Sequence, residues 1–243
     1  MTNTYKITVC YDGTEYHGWQ RQPRKKTIQG VLESALQNFT AKGVPIIGSG
    51  RTDAGVHAQG QTAHFKADTT LSDEKLLKAL NAILPKDIRI LSLHQVESGF
   101  HALKMAKSKI YQYRIFNHPE LSPFLLRYVL HWPGTLDLSL MKEAAVLFRR
   151  EADFTTFSSN RLLYPIRKII RSEIESREKE IIYTVEANGF LRYMVRTIVG
   201  TLLEIGRGRK SPADIPKIFK EKKRALAGKT APAKGLCLMK VIY

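Results

Sequence analysis

The 243-residue sequence predicts an α+β protein whose two halves, 1–103 and 104–243, have comparable content. Three features predict it. Short stretches alternate apolar and polar residues, longer ones carry an apolar stripe at helical spacing, and both kinds recur on either side of a junction near residues 98–108. The length suffices for one large domain or two small ones with a real core. A composition of 43% hydrophobic and 25% charged residues excludes a disordered chain.

Residues Tyr5 to Tyr11 alternate, with Ile7, Val9 and Tyr11 on one face, and run into the turn signal Tyr11-Asp12-Gly13. Thr27 is placed to cap a helix whose stripe is Ile28, Val31, Leu32, Ala35, Leu36 and Phe39. Val44–Ile47 and Gln61–Phe65 read as short strands flanking a glycine-rich loop. Ser72 is placed to cap a second helix through Leu76, Leu77, Leu80, Ile83 and Leu84, stopped by Pro85; Ile88–Val96 is the next strand. In the second half, Ile110–Phe116 is a strand and Leu138–Phe148 a helix. Ile166–Ile174 and Ile181–Ala187 are strands joined by the charged turn SREKE. The longest helix carries Leu191, Met194, Val195, Ile198, Val199, Leu202 and Leu203 and ends at Gly206. Residues 220–235, KEKKRALAGKTAPAKG, have the composition of a mobile basic loop, and Leu236–Tyr243 closes the chain as a strand. Two similar domains with a cleft between them are expected, although no sequence repeat marks a duplication.

Lys and Arg number 39 against 22 Asp and Glu, a net charge of +17. The excess is uneven: residues 1–103 carry 12 basic and 9 acidic side chains, residues 104–243 carry 27 and 13. Such a field attracts polyanions. Nucleic acid stands ahead of an anionic membrane because aromatics interleave with the charge at Tyr111, Tyr113, Arg114 and Phe116; a solvated surface is the plain alternative. No apolar run approaches the ~18 residues of a membrane span. The start, MTNTYKITVCYDG, lacks the apolar stretch of a secretory signal and reads as a mature strand. Cys10 and Cys237 imply neither a disulfide framework nor a zinc site. A soluble cytoplasmic protein is expected.

The segment GSGRTDAGVHAQGQTAHF, residues 48–65, is the most informative. Glycines at 48, 50, 55 and 60 permit close backbone approach to a ligand. Asp53 is the single acidic residue between Glu33 and Asp68, two positions from Arg51. A carboxylate beside a guanidinium stays ionised and can act as nucleophile or base; an aspartate tying down a glycine turn is the plain alternative. No dinucleotide or phosphate-loop pattern and no HExxH occurs, and His57 and His64 lack metal-ligand spacing, so satisfied polar histidines are expected.

GRTDAGVHA at 50–58 closely resembles the signature of the tRNA pseudouridine synthase A (TruA) family. The resemblance continues, in order, through YDGTEYHGWQRQ (11–22), TIQGVLESAL (27–36), GQTAHF (60–65), FHA (100–102), KIYQYRI (109–115), FLRYMVRTIVGTLLEIGRG (190–208) and APAKGLCL (231–238). It implies two RNA-recognition-like (ferredoxin-like) α+β domains with mixed or antiparallel sheets and the active site in a basic cleft between them. It also implies a homodimer that isomerises uridines of the tRNA anticodon stem-loop, at positions 38–40. That isomerisation adds and removes nothing overall, so no metal, ATP or redox cofactor is expected.

On the resemblance, Asp53 matches the catalytic aspartate, which attacks C1′ or C6 of the uridine or assists departure of the base. Tyr111 matches the active-site tyrosine that stacks on the extruded base. Tyr111 and Tyr113 share a strand face, which leaves room for one to be structural. Arg196 matches the arginine of the long helix, beside its apolar stripe, and is assigned as the ion-pair partner of Asp53. Arg51 matches a loop arginine that fills the gap left by the flipped uridine. Leu236 matches a pocket-lining residue, with plain core as its alternative. Arg21, Arg24, Lys25, Lys26, Arg149 and Arg150 are candidates for phosphate contacts. The family commonly has Asn where Thr197 stands, and Tyr193 is less usual. Both positions point away from the stripe and bear on RNA or helix-end contacts. A non-catalytic RNA-binding module and a metal-independent hydrolase using Asp53 and His57 are the other readings; neither explains the full set of matching blocks.

Overall fold

The computed structural model describes residues 2–40, 43–159 and 163–243. The chain forms two compact units, Met1–Lys107 with Leu238–Tyr243, and Ser108–Cys237. The fold is mixed α+β with mostly antiparallel strand pairs.

In the first unit, alternation makes β1 (Asn3–Tyr11) bury Tyr5, Ile7, Val9 and Tyr11. Helix α1 (Ile28–Leu36) starts where Thr27 Oγ1 accepts the Gly30 N–H at 3.3 Å, and it buries Ile28, Leu32, Ala35 and Leu36. Strand β2 is only Ile47–Gly48, so the strand expected from Val44 does not form. Pro45 has no N–H to offer a ladder, and the Ile46 N–H goes to the Glu33 carboxylate at 3.0 Å. Next come β3 (His57–Ala67), α2 (Asp73–Ile83), capped by Ser72, and β4 (Ile88–Val96). Strand β1 lies between β3 and β4, antiparallel to both, with Ile7 opposite Ala63 on one side and Leu93 on the other.

The second unit holds β5 (Ser108–Phe116), β6 (Leu130–His131), α3 (Leu138–Leu147), β7 (Glu151–Asp153), β8 (Ile166–Arg177), β9 (Glu180–Ala187), α4 (Met194–Gly206) and α5 (Asp214–Glu221). Its strands run in the order β5-β9-β8-β7, with β6 parallel to β5. Strands β8 and β9 extend through the charged stretch and leave only Glu178, at φ +52°, and Lys179 between them. Phe148, Phe154, Phe157 and Phe219 pack ring to ring at 5.1–5.9 Å.

The structure corrects four readings in this unit. Helix α4 is buried all round, not along one stripe: every residue except Arg196 and Glu204 is buried. Its far side is covered by a strap within the 220–235 segment, where Ala227, Gly228 and Ala231 are buried while Lys222, Lys223 and Lys229 stay exposed, so the segment is packed at these points rather than solvated throughout. An added Cβ on Gly200 would lie 1.7 Å from the Lys229 carbonyl, and one on Gly228 would meet the Gly200 backbone at 2.3 Å. Thr197, expected to face away from the core, is fully buried with its Oγ1 3.4 Å from that of Thr230. Gly206 is the last residue of the helix, as expected; its missing Cβ makes room for Met141 Sδ, and the left-handed residue that follows is Gly208 at φ +71°. The interleaved aromatics of β5 are also core residues. Tyr113 is completely buried and donates its hydroxyl to the Pro232 carbonyl at 2.8 Å, while Arg114 makes a bidentate ion pair with Glu180 at 2.6 and 2.8 Å.

Strand β10 (Leu236–Ile242) closes the chain, and from Leu238 onward it belongs to the first unit. There it lies beside β3, so close that a Cβ on Gly60 would sit 2.5 Å from the Met239 carbonyl. Among the described residues no helix is long and apolar enough to cross a membrane.

Gly200→Ala is expected to lower unfolding free energy by about 3 kcal/mol or more, because backbone rather than a movable side chain occupies the space. Gly99→Ala, with nothing within 4 Å of the new methyl, should stay within about 0.5 kcal/mol of the parent. Denaturant melts of both variants check this, and equal stabilities would contradict the close helix–strap packing.

Candidate active site

The glycine-rich loop spans residues 49–56, between β2 and β3, and is fastened at three points by hydrogen bonds. At its start, Ser49 Oγ donates to Gln61 Oε1 at 2.7 Å and Gln61 Nε2 returns to the Gly50 carbonyl at 3.0 Å. In the middle, the Thr52 hydroxyl meets the Tyr11 hydroxyl at 2.8 Å, and the Thr52 carbonyl accepts the Trp19 N–H at 3.1 Å. Gly18, at φ +83°, allows this approach, since a Cβ there would lie 2.4 Å from the Thr52 carbonyl oxygen. At its end, the Val56 N–H closes a turn on the Asp53 carbonyl at 3.1 Å, with Gly55 at φ +77° supplying the left-handed residue.

Asp53 is therefore the first residue of a tight turn and directly follows the buried anchor Thr52. It is half-buried. The hydrogen bond that closes the turn uses its main chain. His57 is buried, with Nδ1 3.1 Å from both the Gly13 N–H and an Asp12 carboxylate oxygen. His64 Nδ1 accepts the Ala102 N–H at 3.1 Å, and burial pushes its pKa down, with His101 adding to the effect. Both histidines are thus satisfied structural groups, as expected.

Arg51 is exposed and donates through Nε to Gln20 Oε1 at 3.1 Å. Gln20 begins a chain of hydrogen bonds that sequence reasoning missed. Gln20 Nε2 donates to Gln29 Oε1 at 2.8 Å, and Gln29 Nε2 donates to Glu33 Oε1 at 2.9 Å. The Glu33 carboxylate is buried and takes three donors: Gln29, the Ile46 N–H and Arg21 at 3.3 Å. A buried charge satisfied in this way holds its neighbours rigidly. Arg21 reaches this carboxylate while its own side chain stays 71% exposed. Arg24, at φ +57°, and Lys25 are exposed, and Lys26 Nζ lies 4.4 Å over the Tyr16 ring. These four cations line an open groove of about 970 Å³ together with Gly30 and Ser34. Glu33 also lines it, and Asp53 does not.

In the second unit, Tyr111 on β5 is 7% exposed and meets the Phe190 ring edge to face at 5.1 Å. Its neighbour on the same face, Tyr113, is the structural one, with its hydroxyl committed to Pro232 and its pKa raised by burial. Arg196 donates from Nε to the Ala231 carbonyl at 2.7 Å, and the Ala231 N–H returns to the Arg196 carbonyl at 3.0 Å. The strap that covers α4 thus also fixes this side chain. Tyr193, at φ +64°, places its ring 5.0 Å from the Arg196 guanidinium carbon. Leu236 is 5% exposed at the start of β10. Arg149 is exposed, whereas Arg150 packs its guanidinium 5.1 Å from the Phe219 ring.

The local geometry therefore presents one carboxylate on a pinned glycine loop, one guanidinium fixed by a strap, and a basic groove. Comparison with known proteins places the chain in a family. The family model of tRNA pseudouridine synthase matches residues 7–102 and 144–243. The chain is similar to a protein named tRNA pseudouridine synthase A from Caldicellulosiruptor saccharolyticus, 44% identical with 98% of each chain covered. One of the same name from Thermodesulfovibrio yellowstonii is 44% identical, again with 98% of each covered. A third, from Geobacillus kaustophilus, is 43% identical over 100% of this chain and 95% of its own. The chain belongs to the tRNA pseudouridine synthase family of isomerases.

Proposed function

We propose that this protein isomerises uridine to pseudouridine in the anticodon stem-loop of tRNA, at positions 38–40, with Asp53 as nucleophile. Asp53 attacks C1′ or C6, the N1–C1′ bond breaks, and the base turns within the site. C5 then bonds to C1′, C5 loses its proton and N1 gains one, so atoms balance without a co-reactant. Arg196 serves as counter-ion to the Asp53 carboxylate. Tyr111 stacks on the extruded uracil, a contact worth about 1–3 kcal/mol. Arg51 occupies the vacated place in the RNA stack and offsets part of the unstacking cost. Leu236 belongs to the apolar lining of the pocket.

The observation that carries this reading is the anchoring of Thr52. A buried residue held from both main chain and side chain fixes the backbone from which the adjacent carboxylate projects, and a nucleophile works best when its position is fixed in advance. Arg21, Arg24, Lys25, Lys26, Arg149 and Arg150 supply phosphate contacts that position the tRNA without reading its sequence. The RNA-recognition-like topology is supported in the first unit by the order β4-β1-β3 with β2 on β3. There β1 and β3 run antiparallel. The same reading makes the protein a cytoplasmic homodimer. Phe124, 88% exposed, and Leu126, 50% exposed, are apolar surface of the kind a second copy covers.

With tRNA carrying tritium at uracil C5, the parent protein should release tritium to solvent. Asp53→Asn should slow release by at least about 1,000-fold while tRNA still binds; equal release would defeat the assignment. The logarithm of tRNA affinity should fall linearly with the logarithm of salt concentration. Arg24→Ala and Lys25→Ala should each reduce that slope by about 0.7–0.9, measured by filter binding from low to moderate salt. Unchanged slopes would remove these residues from the interface.

A further inference from the structure

Tyr193 is a bulky residue held in the left-handed region, at φ +64° and ψ +4°, where glycine and asparagine sit at little cost. It stands immediately before α4, and its carbonyl accepts the Thr197 N–H at 2.9 Å, so the backbone there is committed to starting the helix. Its hydroxyl makes no capping bond to that helix. The ring instead serves two arginines. The Arg196 guanidinium carbon lies 5.0 Å from the ring centroid and that of Arg192 lies 4.9 Å away, with Arg192 Nη2 also donating to the Tyr193 hydroxyl at 3.2 Å.

We propose that Tyr193 is a positioning residue for Arg196, its ring fixing the guanidinium in the orientation that meets a carboxylate. An arginine held only through Nε can still swing its terminal nitrogens about its side-chain torsions. Arg196 has the Nε bond to the Ala231 carbonyl at 2.7 Å and, in addition, the ring of Tyr193 against the guanidinium. Two constraints of different kind restrict that swing and leave the terminal nitrogens aimed. Cation–π attraction holds such a contact without using any of the arginine's donors. The backbone strain is retained because the residue best suited to the left-handed position, asparagine, has no ring.

The proposal rests on the reading of Arg196 as counter-ion to the catalytic aspartate, and the experiment separates the two. Steady-state tritium release is measured for Tyr193→Asn, Tyr193→Phe, Arg196→Gln and the double variant Tyr193→Asn/Arg196→Gln. Tyr193→Asn relieves the backbone strain and is expected to lower kcat roughly 10- to 100-fold with KM unchanged, as for a misplaced charge. Tyr193→Phe keeps the ring and should restore kcat to within about threefold of the parent. In the Arg196→Gln background the Asn substitution should cost no more than about twofold further, since it acts through the arginine. Should Tyr193→Asn lose its cooperative thermal transition, Tyr193→Leu, bulky but without a π face, must show the same kcat loss. Parental kcat in Tyr193→Asn beside an inactive Arg196→Gln overturns the positioning role alone. A raised KM with parental kcat also overturns it, and marks the ring as an RNA-stacking surface. Full activity in Arg196→Gln overturns the counter-ion reading and the proposal together.

Discussion

The backbone that carries Asp53, the carboxylate proposed as nucleophile, is held through one buried residue, Thr52. Its hydroxyl is held by Tyr11 from the end of β1, and its carbonyl by the main chain of Trp19, with Gly18 keeping the space between them empty of a side chain. Asp53 follows directly, and the turn at Gly55 returns the chain to β3. A loop with several glycines would be mobile in isolation. Here Gly18 lets the Trp19 main chain come close enough to fasten it and Gly55 supplies the turn, so backbone freedom in the unfolded chain becomes positional constraint in the folded one.

The second unit solves a similar problem with a different device. Helix α4 is buried on all sides because Gly200 and Gly228 let the strap lie directly on its backbone, with Thr197 and Thr201 supplying polar contacts that the strap satisfies. Only Arg196 and Glu204 escape burial in the helix. The guanidinium proposed as counter-ion therefore leaves an otherwise apolar element at a point set by packing, and Ala231 and Tyr193 fix where it goes. Elements that look structural, a strap and a left-handed tyrosine, are in this sense part of how charge is placed.

Much of this was legible in the sequence because the signals are local. Thr27 and Ser72 each precede an apolar stripe, and the alternation in β1 and β9 needs no tertiary information. Asp53 stood out as a lone acid among glycines. What stayed hidden depends on contacts between distant segments. Glu33 lies on the buried side of α1, and nothing in its spacing shows that Gln29, Ile46 and Arg21 would satisfy it. Thr197 looked like a residue facing away from the core because the strap that covers it lies over thirty positions later. The basic composition of that strap reads as solvated, whereas its small residues Ala227, Gly228 and Ala231 decide that it packs. Tyr193 could not be connected with Arg196 until its backbone conformation was known.

A covalent intermediate on Asp53 can be sought directly. In tRNA with 5-fluorouridine at the target positions, C5 carries a fluorine that cannot leave as a proton does, so a nucleophilic mechanism stalls before aromaticity is restored. Mass spectrometry of the protease-digested complex should then find the nucleotide attached at Asp53, and none attached in Asp53→Asn. Attachment to a different side chain, or the same adduct in the Asn variant, would contradict a carboxylate at position 53 as the group that makes and breaks the sugar–base bond.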